Sequence, residues 1–242
     1  MRDLLFLFDI DGTIMDSTGT GKKAYLDAFE QTLDVKVDRS LSFKGGIDRK
    51  FFKVLYNRYL NNEHLNLKNE NELWSKFKNN YLNTLREYSS AENAFKIFPN
   101  SHNTIKILHE KSNVALVTGN IYEGAMIKLA FFNLNVYFCS GGFGEQADER
   151  HELVVDAISS SELLLKKKFP PENIFLFGDT KNDIDSALHH SVTPILIDHT
   201  GESAEFAENW KTSYYGTFEN IENLLKMINE GRHINCAKPI FY

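Results

Sequence analysis

The stretch LLFLFDIDGTI at residues 4–14 decides the fold. Its first five residues are all apolar, which predicts a strand buried on both faces, as in a parallel sheet covered by helices. Asp9 and Asp11 follow this strand directly, and Gly12 allows the chain to turn sharply after them. Because open α/β sheets bind ligands at the carboxyl ends of their strands, the two carboxylates lie where a nucleophile and an acid/base group would act.

Beyond Pro99, helical and strand patterns alternate along the chain. We predict strands at residues 114–117, 136–139, 174–177 and 194–197, with helices near residues 104–111 and 125–132, from residue 151 onward, and at residues 221–228. This alternation predicts an α/β fold with a doubly wound parallel sheet.

The segment between the first strand and Pro99 has a different pattern. Apolar residues recur there at helical spacing, as in Tyr25, Ala28, Phe29 and Leu33. We predict an all-helical cap domain at residues 16–92, inserted into an α/β core of residues 1–15 and 93–242. The Phe and Tyr stripe is interpreted as the apolar core of these helices.

Composition limits the possible functions. The net charge of -6 and the pI near 5.8 argue against nucleic-acid binding. Cys139 and Cys236 have no metal-ligand spacing and fit a reducing compartment without a disulfide. The short N-terminal apolar run predicts neither a signal peptide nor a membrane span, so we expect a cytoplasmic protein. Oligomeric state and residues 235–242 show no informative pattern.

Polar groups also follow two later strands of the predicted sheet. They comprise Thr118, Gly119 and Asn120 after one strand and Asp179 and Asp183 after another. Carboxylates without neighbouring thiol or imidazole groups suit Mg²⁺ better than zinc. A carboxylate can attack phosphorus when a metal and cationic side chains neutralise the repulsion between the carboxylate and the phosphate. The candidates for such a cationic side chain are Arg150 and Lys128.

With these motifs the chain resembles the haloacid dehalogenase superfamily of phosphohydrolases with a helical cap. The four motifs occur in the family's order as DIDGT at residues 9–13, VTGN at 117–120, Arg150, and GDTKND at 178–183. Lysine is commoner than arginine at the third motif, but an arginine fork can also bind phosphate and carboxylate. The run from Thr118 to this arginine is similar to phosphoglycolate-phosphatase-like members.

The resemblance implies a mechanism. Asp9 would be the nucleophile that forms an aspartyl phosphate, and Asp11 would protonate the leaving oxygen and later activate water. Asp9, the carbonyl of Asp11 and Asp179 would hold Mg²⁺. The phosphoryl oxygens would be bound by the groups Thr118, Gly119, Asn120 and Arg150.

Several assignments have alternatives. Lys128 competes with Arg150 as the third-motif cation, although its place midway along a helix favours a solvated or structural role. Asp183 is either a further metal ligand, an orienting group or a cap of the following helix. Thr118 could also serve only as a helix N-cap.

The loop at residues 45–49 lies where the family places a loop that contacts the substrate. Gly46 and Asp48 are therefore candidate substrate-binding residues, while Asp48 could instead be the N-cap of the next helix. Arg49 and Lys44 would meet a charged substrate group or face water. His151, His189 and His190 have no ligand spacing, so we expect surface or capping roles for them.

These observations predict a Mg²⁺-dependent phosphatase of a small phosphomonoester, such as a phosphoglycolate-like compound or a sugar phosphate. A β-phosphoglucomutase-like mutase would need the same residues, and a non-catalytic binding protein could retain the fold. A phosphonate hydrolase would need a cap lysine, for which Lys44 and Lys53 are candidates.

Overall fold

The structure is a computed structural model that describes residues 3–43, 45–60, 67–145, 147–207, 209–229 and 240–241. A seven-stranded sheet forms its centre. The strands are β1 (Leu5–Phe8), β4 (Asn113–Thr118), β5 (Gly141–Phe143), β6 (Ile174–Gly178), β7 (Thr193–Ile197), β8 (Tyr214–Gly216) and β9 (Ile240–Phe241). Their order is β5-β4-β1-β6-β7-β8-β9, and every pairing is parallel. The predicted parallel α/β fold is confirmed.

The central position of β1 explains its apolar sequence. Phe8 pairs in register with Leu116 of β4 and with Phe177 of β6, so both edges of β1 are paired with neighbouring strands. Phe6 and Phe8 face one apolar cluster, whereas Leu5 and Leu7 face another on the opposite side of the sheet. Because both faces of β1 are buried, the strand itself contains no polar residue.

Helices flank this sheet and form the insertion. The insertion contains α1 (Thr20–Leu33), α2 (Asp48–Tyr59) and α3 (Leu67–Tyr88). The core helices are α4 (Ser101–Lys111), α5 (Tyr122–Ala130), α6 (Arg150–Leu165), α7 (Lys181–His189) and α8 (Ile221–Asn229). None of the helices in the described ranges is long and apolar enough to cross a membrane.

The helical block leaves and rejoins the core through a two-stranded ribbon. Strand β2 (Met15–Asp16) pairs antiparallel with β3 (Lys96–Ile97) at the two ends of the insertion. Within the block, Tyr25 of α1 contacts Phe77 and Tyr81 of α3 edge to face, with Phe77 wholly buried. The aromatic stripe is therefore the apolar core of the helices, as predicted, while the division into two domains stays a prediction.

The strand predicted at residues 136–139 is wrong. Residues Asn135–Tyr137 form a 3-10 turn in which Val136 is exposed, and the strand at this edge of the sheet is Gly141–Phe143. A Cβ on Gly142 would lie 1.9 Å from the Leu153 carbonyl oxygen, so the close packing of α6 requires glycine there. The apolar pattern therefore identified the wrong four residues.

Candidate active site

Three carboxylates meet at the carboxyl edge of the sheet. Asp9 follows β1, Asp179 follows β6, and Asp183 lies in the first turn of α7. One oxygen atom from each lies within 4.8 Å of the others, and in the described part of the chain this is the one such group of three potential metal ligands. Gly12 has a φ of 92°, and a Cβ there would lie 2.3 Å from Asp179 Oδ2, so the turn after Asp11 needs glycine.

This carboxylate group fits a divalent cation. Its donors are all hard oxygen atoms, and Asp9 and Asp183 are buried, so the crowded negative charge calls for a compensating cation. Asp183 is the least available of the three, because both of its oxygens already accept hydrogen bonds. The Thr180 N–H and hydroxyl donate to Oδ2, and Arg150 donates to Oδ1.

Arg150 is the cation that the structure places beside the predicted nucleophile. It is the first residue of α6, and its buried guanidinium donates to Asp9 Oδ1 at 2.5 Å. The same group donates to Asp183 Oδ1 from Nε at 3.0 Å and from Nη2 at 2.7 Å. Arg150 thus connects two of the three carboxylates through charge-assisted hydrogen bonds.

Burial dominates the electrostatics of Asp9. It raises the pKa of Asp9 to about 7; Arg150 opposes this shift, while the charges of Asp183 and Asp11 add to it. For Arg150, burial lowers the pKa, but the two carboxylates outweigh that effect and raise it above the ordinary value. The guanidinium therefore remains charged beside a carboxyl group whose charge is costly.

Asp11 belongs to a second network. Its carboxylate accepts from Lys128 Nζ at 2.7 and 2.9 Å and from Asn120 Nδ2 at 2.8 Å. Burial by itself would raise the pKa of Asp11, but the Lys128 charge and the hydrogen bonds from Asn120 and Lys128 lower it. Thr118 joins the same network because its Oγ1 accepts from Asn120 Nδ2 at 2.7 Å.

Lys128 was expected to have a solvated or a structural role, and the solvated alternative is wrong. The residue is 4 % exposed, and its side chain points from α5 to Asp11 inside the cavity. The position of Lys128 along its helix did not indicate this burial. The face of α5 on which it lies is covered by the helical insertion, whose residues are distant in sequence. A Cβ on Gly21 of α1 would come within 3.2 Å of the Lys128 ammonium.

Asp183 also caps α7, one of its predicted alternatives. Thr180 is the N-cap residue, its hydroxyl accepts from the Asp183 N–H, and the Asp183 carboxylate accepts from the Thr180 N–H. This reciprocal capping and the ion pair with Arg150 use different oxygens of one side chain. Asp183 therefore fixes Arg150 relative to the start of α7.

The loop before α2 contacts the core through its backbone. The Asp48 N–H donates to the Gly119 carbonyl at 2.8 Å, and the Arg49 N–H donates to the Gly144 carbonyl at 3.0 Å. In return, Asp48 Oδ2 accepts from the Ile121 N–H at 2.9 Å, at the start of α5. Core carbonyls thus satisfy the first N–H groups of α2, and a carboxylate of α2 satisfies the N–H at the start of α5.

Two interpretations of this loop are corrected. Asp48 is not the N-cap of α2, because the helix begins at Asp48 itself and the carboxylate caps α5 instead. Arg49 neither faces water nor lines the cavity, since it is buried in an ion pair with Glu70 and stacks over Trp74. Lys44 lies outside the described residues.

The site encloses a cavity of about 460 Å³ between the helical block and the sheet edge. Every predicted catalytic and substrate-binding residue lines it, as do the metal candidates apart from Asp183. These residues are Asp9, Asp11, Gly46, Asp48, Thr118, Gly119, Asn120, Arg150 and Asp179. Lys53 instead pairs with Asp148 at the surface and is absent from the lining, so it does not serve as the cap lysine of a phosphonate hydrolase.

Sequence reasoning missed a further part of the lining. His199 stacks on Phe98 with ring centroids 3.8 Å apart, and its Nε2 lies 3.0 Å from the Thr13 carbonyl oxygen. The signal was available, because Asp198 and His199 directly follow the strand predicted at residues 194–197.

Three further histidines, His151, His189 and His190, form a cluster outside this cavity. The rings of His151 and His189 lie 4.4 Å apart, and those of His189 and His190 lie 4.8 Å apart. Their spacing in sequence gave no indication of this contact. Cys139 is an exposed free thiol, and Cys236 lies outside the described residues.

A doubly wound sheet with acidic groups at the carboxyl ends of β1 and β6 defines an α/β enzyme class in which chemistry occurs at the sheet edge. The model of the haloacid dehalogenase-like hydrolase family matches residues 6–197. The chain therefore belongs to this family of hydrolases, and the resemblance inferred from the four motifs is confirmed.

Solved structures show the same fold at low identity. A predicted phosphatase from Clostridium acetobutylicum is 19% identical, with a TM-score of 0.65 over 95% of this chain and 100% of that chain. A β-phosphoglucomutase from Clostridium difficile is 14% identical, with a TM-score of 0.68 over 96% and 99%. A predicted phosphoglycolate phosphatase from Haemophilus somnus 129pt is 18% identical, with a TM-score of 0.63 over 93% and 98%. No curated protein shows a significant match to this chain.

Proposed function

We propose that the protein is a Mg²⁺-dependent phosphatase that hydrolyses a small phosphomonoester. One observation carries the proposal: buried Asp9 accepts a hydrogen bond from Arg150 and lies beside Asp179 and Asp183 at the sheet edge, next to a second network centred on Asp11. A carboxylate with a guanidinium at its side suits attack on an anionic phosphorus centre.

In the proposed reaction Asp9 and Asp11 have different roles. An Asp9 oxygen attacks phosphorus, the P–O bond to the leaving group breaks, and Asp11 gives a proton to the departing oxygen. Asp11 then takes a proton from water, which attacks the aspartyl phosphate and releases inorganic phosphate. Asp9 and Asp11 also have different partners, which fits separate roles: Arg150 donates to Asp9, whereas Lys128 and Asn120 donate to Asp11.

The remaining polar groups would bind the phosphoryl oxygens and the metal. Thr118, the backbone at Gly119 and Asn120, and Arg150 surround the same cavity and offer donors to a phosphoryl group. Asp9, the Asp11 carbonyl and Asp179 would hold Mg²⁺, which when bound would neutralise phosphate charge. Since both Asp183 oxygens are occupied, its role would be to orient Arg150.

The cavity supports a small metabolite as substrate. Its volume of about 460 Å³ suits a phosphate with a compact leaving group, such as a phosphoglycolate-like compound or a sugar phosphate. Gly46 and Asp48 would contact the leaving group from the side of the helical block. The net charge of -6 and the two cysteines fit a cytoplasmic enzyme that does not bind nucleic acid.

A phosphate-release screen tests the proposal. Purified protein with Mg²⁺ is given p-nitrophenyl phosphate, phosphoglycolate, sugar phosphates, nucleotides and pyrophosphate. We expect turnover that EDTA abolishes, that Asp9→Asn removes at every Mg²⁺ concentration, and that the surface variant Asp185→Asn retains.

Two results would contradict a phosphatase. Isomerised phosphosugar without free phosphate would indicate a mutase, and no turnover of any substrate despite bound Mg²⁺ would indicate a binding protein. Full activity in Asp9→Asn would refute the mechanism itself.

A further inference from the structure

Lys128 lies at one end of a chain of hydrogen bonds that leads to the predicted phosphate site. Its ammonium donates to both oxygens of Asp11 and, at 2.7 Å, to Asn120 Oδ1. An ammonium has three donor hydrogens and no acceptor, so each of its three partners must be an acceptor atom. The side chain is buried, and helix α1 packs against it at Gly21.

This contact determines which way the Asn120 amide points. Because only the amide oxygen can face the ammonium, Nδ2 must face the other side, where it donates to Asp11 at 2.8 Å and to Thr118 Oγ1 at 2.7 Å. Asp11 reinforces this orientation by accepting from Nδ2. A reversed amide would place its nitrogen against the ammonium and its oxygen against the carboxylate.

The amide in turn determines the direction of the Thr118 hydroxyl. Thr118 Oγ1 accepts from Asn120 Nδ2 and, at 3.3 Å, from the Asn120 N–H. Its own hydrogen is therefore directed away from Asn120, and the described residues supply no acceptor for it within the network. Thr118 lines the main cavity, so this hydrogen is available to an oxygen atom bound there.

We propose that Lys128 is a positioning residue that acts through Asn120 and Asp11: it orients the Asn120 amide so that Thr118 donates to the phosphoryl group, and it holds the Asp11 carboxylate in place. The inference rests on the proposed phosphatase function. It gives the second buried cation of the site a task different from that of Arg150, which contacts Asp9 instead.

The first test is Lys128→Met, which keeps the length of the side chain and removes its donors. With p-nitrophenyl phosphate and Mg²⁺, kcat should fall about 10- to 100-fold, as expected when an orienting partner is lost. KM should change less than about threefold, because a residue that acts through Asn120 and Asp11 makes no direct contribution to substrate binding. Lys23→Met, which removes an exposed lysine of α1, serves as the charge-matched control and should retain wild-type kcat.

Two further measurements separate positioning from a structural effect. In an Asn120→Ala background, Lys128→Met should lower kcat by a clearly smaller factor than in the wild type, since only its effect through Asp11 remains. In Lys128→Ala, added ethylammonium should restore part of kcat, whereas tetramethylammonium, which has no N–H, should not.

Each contrary result points to a specific failure. A raised KM with unchanged kcat would show that Lys128 binds the substrate directly, and additive losses or missing rescue would show that it does not act through Asn120. Failure of both Lys128 variants to fold would assign the residue to core stability. Each of these outcomes overturns the inference about Lys128, whereas the proposed function still stands if the wild type releases phosphate. A wild type that hydrolyses none of the substrates would overturn the proposed function and this inference together.

Discussion

Gly119→Ala should separate the helical block from the phosphate-binding loop. A Cβ at this position would lie 1.8 Å from the Gly46 carbonyl oxygen and 3.2 Å from the Ile47 Cα. Both contacts are backbone atoms, so no side chain can rotate away, and the loop must retreat by about 1.2 Å or more to reach 3.0 Å. That shift breaks the 2.8 Å hydrogen bond from the Asp48 N–H to the Gly119 carbonyl.

The size of the effect follows from these two losses. Overpacking of a rigid contact costs about 1–3 kcal/mol, and the lost hydrogen bond about 1 kcal/mol. The closed arrangement would therefore be destabilised by about 2–4 kcal/mol, which lowers kcat/KM by roughly 30- to 1000-fold if only this arrangement is active. The radius of gyration measured by small-angle scattering should increase.

Gly124→Ala is the matched control. It lies in α5 at the same interface, but its Cβ would meet only side-chain atoms, Ile121 Cγ1 at 3.3 Å and Tyr81 Cε1 at 3.6 Å. We expect kcat/KM within about threefold of wild type. A folded Gly119→Ala variant with wild-type kcat/KM would refute the reasoning, because it would show that contact between Gly119 and Gly46 is not required for turnover.

Two other predictions concern charged groups between the helical block and the core. Burial raises the pKa of Asp48 to about 7, although Lys128 and the Ile121 N–H lower it, so the folded state binds a proton that the unfolded chain releases near pH 4. Stability from this group is therefore lost as pH rises from about 4 to 7. Asp48→Asn keeps an acceptor for Ile121, so its free energy of unfolding in urea titrations should rise by about 3 kcal/mol relative to wild type between pH 5 and pH 8. A difference that does not change with pH would contradict burial of the charge. Lys78 of α3 forms ion pairs with two residues of the α/β core, Glu145 at 2.5 Å and Glu123 at 3.2 Å. Lys78→Met should therefore lower kcat/KM about two- to fivefold at low ionic strength and remove most of the salt dependence of kcat/KM. An equal salt response in the variant and the wild type would contradict this prediction.

Local patterns were sufficient for the four strands β1, β4, β6 and β7 and for most of the acidic site. A strand buried on both faces must be continuously apolar, and parallel strands carry their carboxyl ends to one edge of the sheet. The sequence therefore predicts that Asp9, Asp11 and Asp179 lie close together. The helical insertion was equally visible, because its aromatic residues repeat at helical spacing. These features depend on residues close together in the chain.

Only the tertiary structure decided which neighbours each of these groups has. In the sequence Lys128 is only a residue midway along a helix, but in the structure α1 covers it. The edge strand lies at Gly141–Phe143 because Gly142 allows α6 to pack closely against the sheet. Asp48 caps a helix 73 residues away in sequence instead of its own. Periodicity shows which face of a helix or strand is buried, but not what packs against that face. The burial of Lys128, the close contacts of Gly119 and Gly142, and the capping of α5 by Asp48 therefore depend on segments that are distant in sequence.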